Sequence, residues 1–282
     1  RILYIEHKIA PLSLQVIANR PYSVNILIPT VDFRYFFAGY IAKFQFARRL
    51  LERGHKVRIV IVDHCHFHPE SWSNDLAACA GLKDHKSLNW FYAFDRSEPM
   101  PVGDKDVFVT TTWWTAHIAH AATRAIGGNR FIYLIQEYEP FTFPMGSLYC
   151  LADESYRLPH YAVFSTEFLR DYFRKNRLGV FGKAEDVNDM SVVLQNAISP
   201  VGQPETEALR RRRVRKLLFY ARFEEHAARN MAEVGFLALK RAIARGGFGK
   251  NWEFHAIGSV SGSFSIPLGQ GFNLHVFERK SY

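Results

Sequence analysis

Residues 24 to 62 constrain the fold more than any other part of the chain. Val24-Asn25-Ile26-Leu27-Ile28-Pro29 is a short apolar run with β-branched residues, the pattern of a buried strand. Phe36 to Arg53 then carries Ile41, Phe44, Ala47, Leu50 and Leu51 on one side of a helical repeat, and Gly54 supplies the stop. Val57 to Val62 is a second buried run. Strand, helix, glycine and strand in this order make a βαβ unit, which requires a parallel sheet and a right-handed crossover.

The alternation continues. Asp106–Thr111, Phe131–Ile135 and Tyr161–Ser165 read as strands, and Ser191–Leu194 closes the region. Thr115–Ile126, a segment beginning at Leu148–Ala152, and Glu167–Lys175 read as helices. The chain thus divides into a weakly patterned lead-in (1–22), a Rossmann-like α/β domain (23–195), a polar linker with two prolines (196–215) and the start of a second α/β domain (216–282). In the last part Lys216–Ala221 and Glu253–Ile257 read as strands around a helix at Asn230–Ala244. One βαβ unit is too little to cover both faces of a parallel sheet, so this domain is expected to be incomplete within these residues.

Composition excludes several classes. At 48% apolar and 22% charged residues, the chain matches an ordinary soluble globular protein, with no apolar run long enough to span a membrane. Its three cysteines stand at unrelated spacings, which fits a reducing cytoplasm rather than a disulfide framework. The net charge of +9 is local, since six basic residues fall in Arg210-Arg211-Arg212-Arg213-Val214-Arg215-Lys216. Such a run reads first as a solvated linker end and second as a contact with an anionic membrane surface from the cytoplasmic side; no motif for nucleic acid accompanies it.

Several groups bear on chemistry. No G-x-G-x-x-G follows a strand, and no P-loop is present. Asp104-Lys105-Asp106 formally matches a metal-binding D-x-D, but it precedes a strand and carries a lysine, which favours a turn. His64, His66 and His68 alternate without a second ligand cluster, so no metal site is expected. Gly39 opens a helix, where it serves either ligand approach to the backbone or tight packing. Trp113 and Trp114 form a strand-to-helix turn and offer aromatic faces to an acceptor sugar, with core packing as the other reading. The strand Phe131–Ile135 ends in Gln136-Glu137-Tyr138-Glu139-Pro140. Glu137 is the first candidate for the general base, and Tyr138 and Glu139 are candidates for acceptor binding; the other reading is that one of the two glutamates holds a structural arginine such as Arg157. In the second domain Arg222 ends a strand and Arg229 precedes a helix, a pairing suited to a diphosphate.

The pieces AGYIAKFQFARRLLERGHKVRIV, TTWWTAHIA, IQEYEPFTFPMGSLYCLADESYRLPHYAVFSTEFLRDYF, LLFYARFEEHAARNMAEVGFLALKRAI and IGSVSGSFSIPLGQG resemble successive blocks of the WsaF-type rhamnosyltransferases. The resemblance implies a GT-B architecture of two Rossmann-like domains, with the acceptor on the first and a nucleotide sugar on the second. It implies transfer of rhamnose from dTDP-rhamnose to a polysaccharide or glycan, with retention and without cofactor or metal. It carries Arg222 and Arg229 over as diphosphate ligands and puts Gly258 near the nucleotide. The chain departs from the pattern in having Ala38-Gly39 where relatives have a Gly pair, and in lacking a glycine between Pro140 and Phe141. The alternative function is a non-catalytic, glycan-binding remnant of such an enzyme.

Overall fold

A computed structural model describes residues 1–33, 38–80, 87–182, 188–194, 202, 205–223, 225–259 and 262–278. The chain divides into two compact units, Arg1–Ala197 and Ile198–Tyr282.

The first unit is built on β2 (Val24–Ile28), β3 (Val57–Ile61), β4 (Asn89–Tyr92), β6 (Val107–Thr110), β7 (Phe131–Ile135), β8 (His160–Phe164) and β9 (Ser191–Val193). These form one sheet in the order β4-β3-β2-β6-β7-β8-β9, every neighbouring pair parallel. The strand order reverses between β2 and β6, the topology of a Rossmann-like α/β fold. β2 and β3 are buried throughout, as strands covered on both faces must be. Their residues alternate between two cores. Leu27, Val60 and Tyr133 pack with Ala116 and Ala119 of helix α4 (Trp113–Ala125), while Ile26, Ile59 and Leu134 pack with Phe44 and Ala47 of helix α2 (Ala38–Glu52). Gly54, at φ +82°, ends the turn after α2.

The lead-in is more structured than its pattern suggested. It holds helix α1 (Ile2–Ile9) and strand β1 (Leu14–Ile17), which pairs in parallel with β5 (Met100–Gly103). Arg96 ties this segment to the sheet by donating to Ala10 O at 3.1 Å and to Val62 O at 3.0 Å. Residues 196–201, 203 and 204 of the expected linker lie outside the described residues; its described part contains the short helix Thr206–Arg210.

The second unit carries β10 (Arg215–Tyr220), helix α8 (Ala232–Ala244) and β11 (Trp252–Ser259) as one parallel βαβ. Residues 264–278, left unassigned by the sequence reading, add β12 (Phe264–Gly269) and β13 (Phe272–Glu278), giving the order β10-β11-β13-β12. A two-residue turn joins them, with Gln270 at φ 52° and Gly271 at φ 79°; both positive angles belong to the hairpin turn that matches strand twist. Pro267 obscured β12 in the sequence, and it is tolerated because β12 is an edge strand. Leu239 and Ile243 of α8 pack on Phe254, Ala256, Leu274 and Val276.

Candidate functional site at the carboxyl edge of the first sheet

β7 is wholly apolar, and its chain leaves the sheet at Gln136, whose Nε2 donates to Gly39 O at 3.1 Å. A Cβ on Gly39 would stand 2.7 Å from Gln136 Oε1, so a side chain there would displace the end of the Gln136 side chain.

The next three residues are held from below by one phenol. Tyr156, buried at the end of helix α5 (Ser147–Ser155), donates its hydroxyl to Glu137 O at 3.0 Å and accepts the Glu139 N–H at 3.2 Å. Tyr138 is 7% exposed, stacks on Tyr156 with centroids 5.5 Å apart, and donates its hydroxyl to Asp153 Oδ1 at 2.6 Å. Burial and the Asp153 carboxylate push this phenol upward. Tyr138 thus fixes the loop from inside.

Glu139 enters a short 3-10 turn, Glu139–Thr142. The residue is half-buried. Burial pushes its pKa up to about 8; the Trp113 backbone N–H opposes the rise, the charge of Glu137 adds to it, and Lys43 and the Tyr133 hydroxyl oppose it. Tyr133 Oη lies 3.5 Å from Glu139 Oε1 and 3.2 Å from Ser155 Oγ. The Trp113 N–H belongs to the first turn of α4, so the carboxyl sits where a helix start favours negative charge. That helix begins at Thr112, and Thr115 Oγ1 receives the Thr112 N–H at 2.9 Å to complete a capping box.

Lys43 completes the cluster. It lies on α2, is 6% exposed, and holds its ammonium 4.4 Å above the Tyr40 ring. Burial lowers its pKa to about 8, while the negative charges of Glu139 and Glu137 restrain the fall. Sequence reading passed over it because it stands among polar positions of an amphipathic helix. Its one visible signal is a lysine a single turn beyond Gly39 in the helix that follows the first strand.

The two tryptophans differ in exposure. Trp113 is 1% exposed and meets Trp114, His117 and Phe143 edge-on. Its position requires correction of the expected sugar-stacking role: no face of this ring is presented, because α4 carries it into the core. Trp114 is half-buried, with Lys8 Nζ of α1 over its ring at 4.2 Å. The same ammonium pairs with Asp63 at 2.6 Å.

The remaining motifs are placed plainly. Asp106 is buried and accepts from Ser23 N at 2.9 Å and Asn25 Nδ2 at 3.0 Å, a structural role that explains the Asp104-Lys105-Asp106 sequence. His64, His66 and His68 are exposed, and among the described residues no group of three or more His, Cys, Asp or Glu could hold a metal ion.

In the second unit, Arg222 follows β10, Arg229 precedes α8, and Gly258 lies near the end of β11, so all three belong to the carboxyl edge of the parallel strands. Both arginines are partly buried. α8 starts after Met231, which is left-handed at φ 51° and gives no side-chain cap. Gly258 has φ +136°, and a Cβ there would meet Ala221 O at 2.6 Å and Arg222 Cγ at 3.1 Å. Glycine thus lets the two strand ends approach and bears directly on the position of Arg222.

Among the described residues no helix is long and apolar enough to cross a membrane. No curated protein matches the chain. The family model described as WsaF, N-terminal domain matches residues 23–167, and that of WsaF, C-terminal domain matches residues 215–282. With a parallel α/β sheet bearing buried acidic groups in one unit and an arginine-bearing strand edge in the other, the chain belongs to the WsaF family, a rhamnosyltransferase-like group of glycosyltransferases.

Proposed function

We propose that the protein is a metal-independent, retaining glycosyltransferase of GT-B architecture that moves rhamnose from dTDP-rhamnose to a hydroxyl of a polysaccharide or glycan. The first unit handles the acceptor and the second the nucleotide sugar. The observation that carries this reading is the Lys43–Glu137–Glu139 cluster at the carboxyl edge of a Rossmann-like sheet in a chain of this family. A carboxylate held near a buried ammonium is suited to take the proton that an acceptor hydroxyl loses. Glu137 is the candidate base, and Glu139 with Lys43 sets the charge behind it.

On the donor side, charge builds on the diphosphate as the anomeric bond breaks. Arg222, Arg229 and the uncapped start of α8 are the groups suited to stabilise it. Exposure of every residue in Arg210–Lys216 supports a peripheral contact with anionic lipid on the cytoplasmic side.

The test is release of dTDP from dTDP-rhamnose by the purified chain, with and without a rhamnose-containing glycan and with and without EDTA. The reading expects glycan-stimulated release that EDTA leaves intact. Glycan binding without donor turnover would favour the non-catalytic alternative, and release abolished by EDTA would overturn metal independence.

A further inference from the structure

Beside the acidic cluster lies an apolar surface that the reaction above does not use. Phe141, in the turn after Glu139, is 53% exposed, and Phe168, at the start of helix α6 (Glu167–Lys175), is 88% exposed. Tyr172, one turn beyond Phe168 on the same helix, has its ring 5.9 Å from that of Phe141. Phe141 in turn meets Tyr138 edge-on at 4.9 Å, so the stripe is continuous with the loop that holds Glu137 and Glu139. Two exposed rings beside the half-buried Tyr172 lose the benefit of burial, and exposed apolar patches mark binding sites.

The polar groups around the stripe decide the class of ligand. Arg157 pairs with Asp153 at 2.6 Å, Arg170 with Glu167 at 2.9 Å, and Arg174 with Asp171 at 2.9 Å. With Glu154 and Lys175 added, four acidic side chains (Asp153, Glu154, Glu167, Asp171) are matched by four basic ones (Arg157, Arg170, Arg174, Lys175), and a region with no net charge suits a neutral partner. Asp153 and Arg157 also offer an acceptor and donors at the edge nearest Tyr138. Aromatic faces flanked by a carboxylate and a guanidinium fit a molecule with apolar C–H faces and a rim of hydroxyls.

We propose that Phe141, Tyr172 and Phe168 form a subsite for the already-built part of a neutral glycan, which lies along the stripe while its terminal hydroxyl reaches Glu137. The proposal rests on the acceptor-side reading of the first unit. Deoxysugars, with a methyl in place of a hydroxyl, gain most from such a surface.

The test titrates the full chain with a linear rhamnose hexasaccharide and, separately, with phosphatidylglycerol vesicles. Thermal unfolding serves as the folding control. Phe168→Ala and Phe141→Ala are expected to weaken hexasaccharide binding roughly tenfold each, and Phe168→Trp to keep it. Equal affinity in the wild type and the Phe141→Ala, Phe168→Ala double variant overturns the subsite. So does the absence of glycan binding, or a loss confined to vesicle binding, which would assign the stripe to a membrane. Hexasaccharide binding that needs the rings, in a chain that turns over no dTDP-rhamnose, keeps the subsite and sinks the catalytic reading.

Discussion

The Lys43 ammonium and the Glu139 carboxyl are buried in one cluster, and each restrains the shift that burial imposes on the other. Each charge favours the ionised form of the other against the burial that opposes it.

This coupling predicts an unusual stability profile. Between 4.5 and about 8 the folded chain keeps a proton on Glu139 that the unfolded chain has released, so stability falls as pH rises through that window. Between about 8 and 10.5 the unfolded chain keeps a proton on Lys43 that the folded chain has lost, so stability rises again. Thermal midpoints measured from pH 5 to pH 10 should dip near 8. Glu139→Gln should flatten the falling limb, and an unchanged limb in that variant would rule out this origin.

Activity should separate the two carboxylates. Glu137→Gln is expected to lower transfer roughly 10²- to 10⁴-fold across the pH range, the usual contribution of a positioned base. Glu139→Gln and Lys43→Met should instead move the pH–rate profile. If Glu137→Gln leaves kcat intact while Glu139→Gln abolishes it, the base is Glu139.

Arg222→Ala and Arg229→Ala are each expected to weaken dTDP binding by about tenfold or more, since hydrogen bonds to charged groups contribute roughly 1.5–3 kcal/mol. Calorimetric titration with dTDP decides it. Unchanged affinity in Arg222→Ala would remove that arginine from the donor side.

Gly258→Ala should destabilise the second unit by roughly 1–3 kcal/mol, because it places a side chain at a positive φ. The steric conflict 2.6 Å from Ala221 O adds to this. Denaturant unfolding of the variant checks the loss. A melt identical to wild type would show that the strand ends can part.

Legibility in the sequence followed periodicity. β2, β3, β7 and β8 were plain because parallel strands are apolar throughout, and α2 and α4 because each has an apolar side and a glycine stop. β12 was hidden by Pro267, and β1 and β5 by having only four residues each with mixed burial. At the site, Glu137 and Glu139 announced themselves by interrupting an apolar run. Lys43 could not, because a lysine on a helix reads as solvent-facing until the loop after β7 is folded over it. Adjacency left the tryptophans with two readings, a sugar-facing pair or core packing, and only the path of α4, which turns Trp113 into the core, separates them for that ring.

The strand pairing of β1 with β5 has a practical consequence for where the first unit is cut. The family match opens at residue 23, whereas the folded body already includes residues 1–20. A fragment trimmed to the match would leave the Met100–Gly103 edge without its partner, remove one carbonyl from the Arg96 guanidinium, and uncover Trp114. Family module and folding unit have different borders in this protein, and an expression boundary is best set by the second.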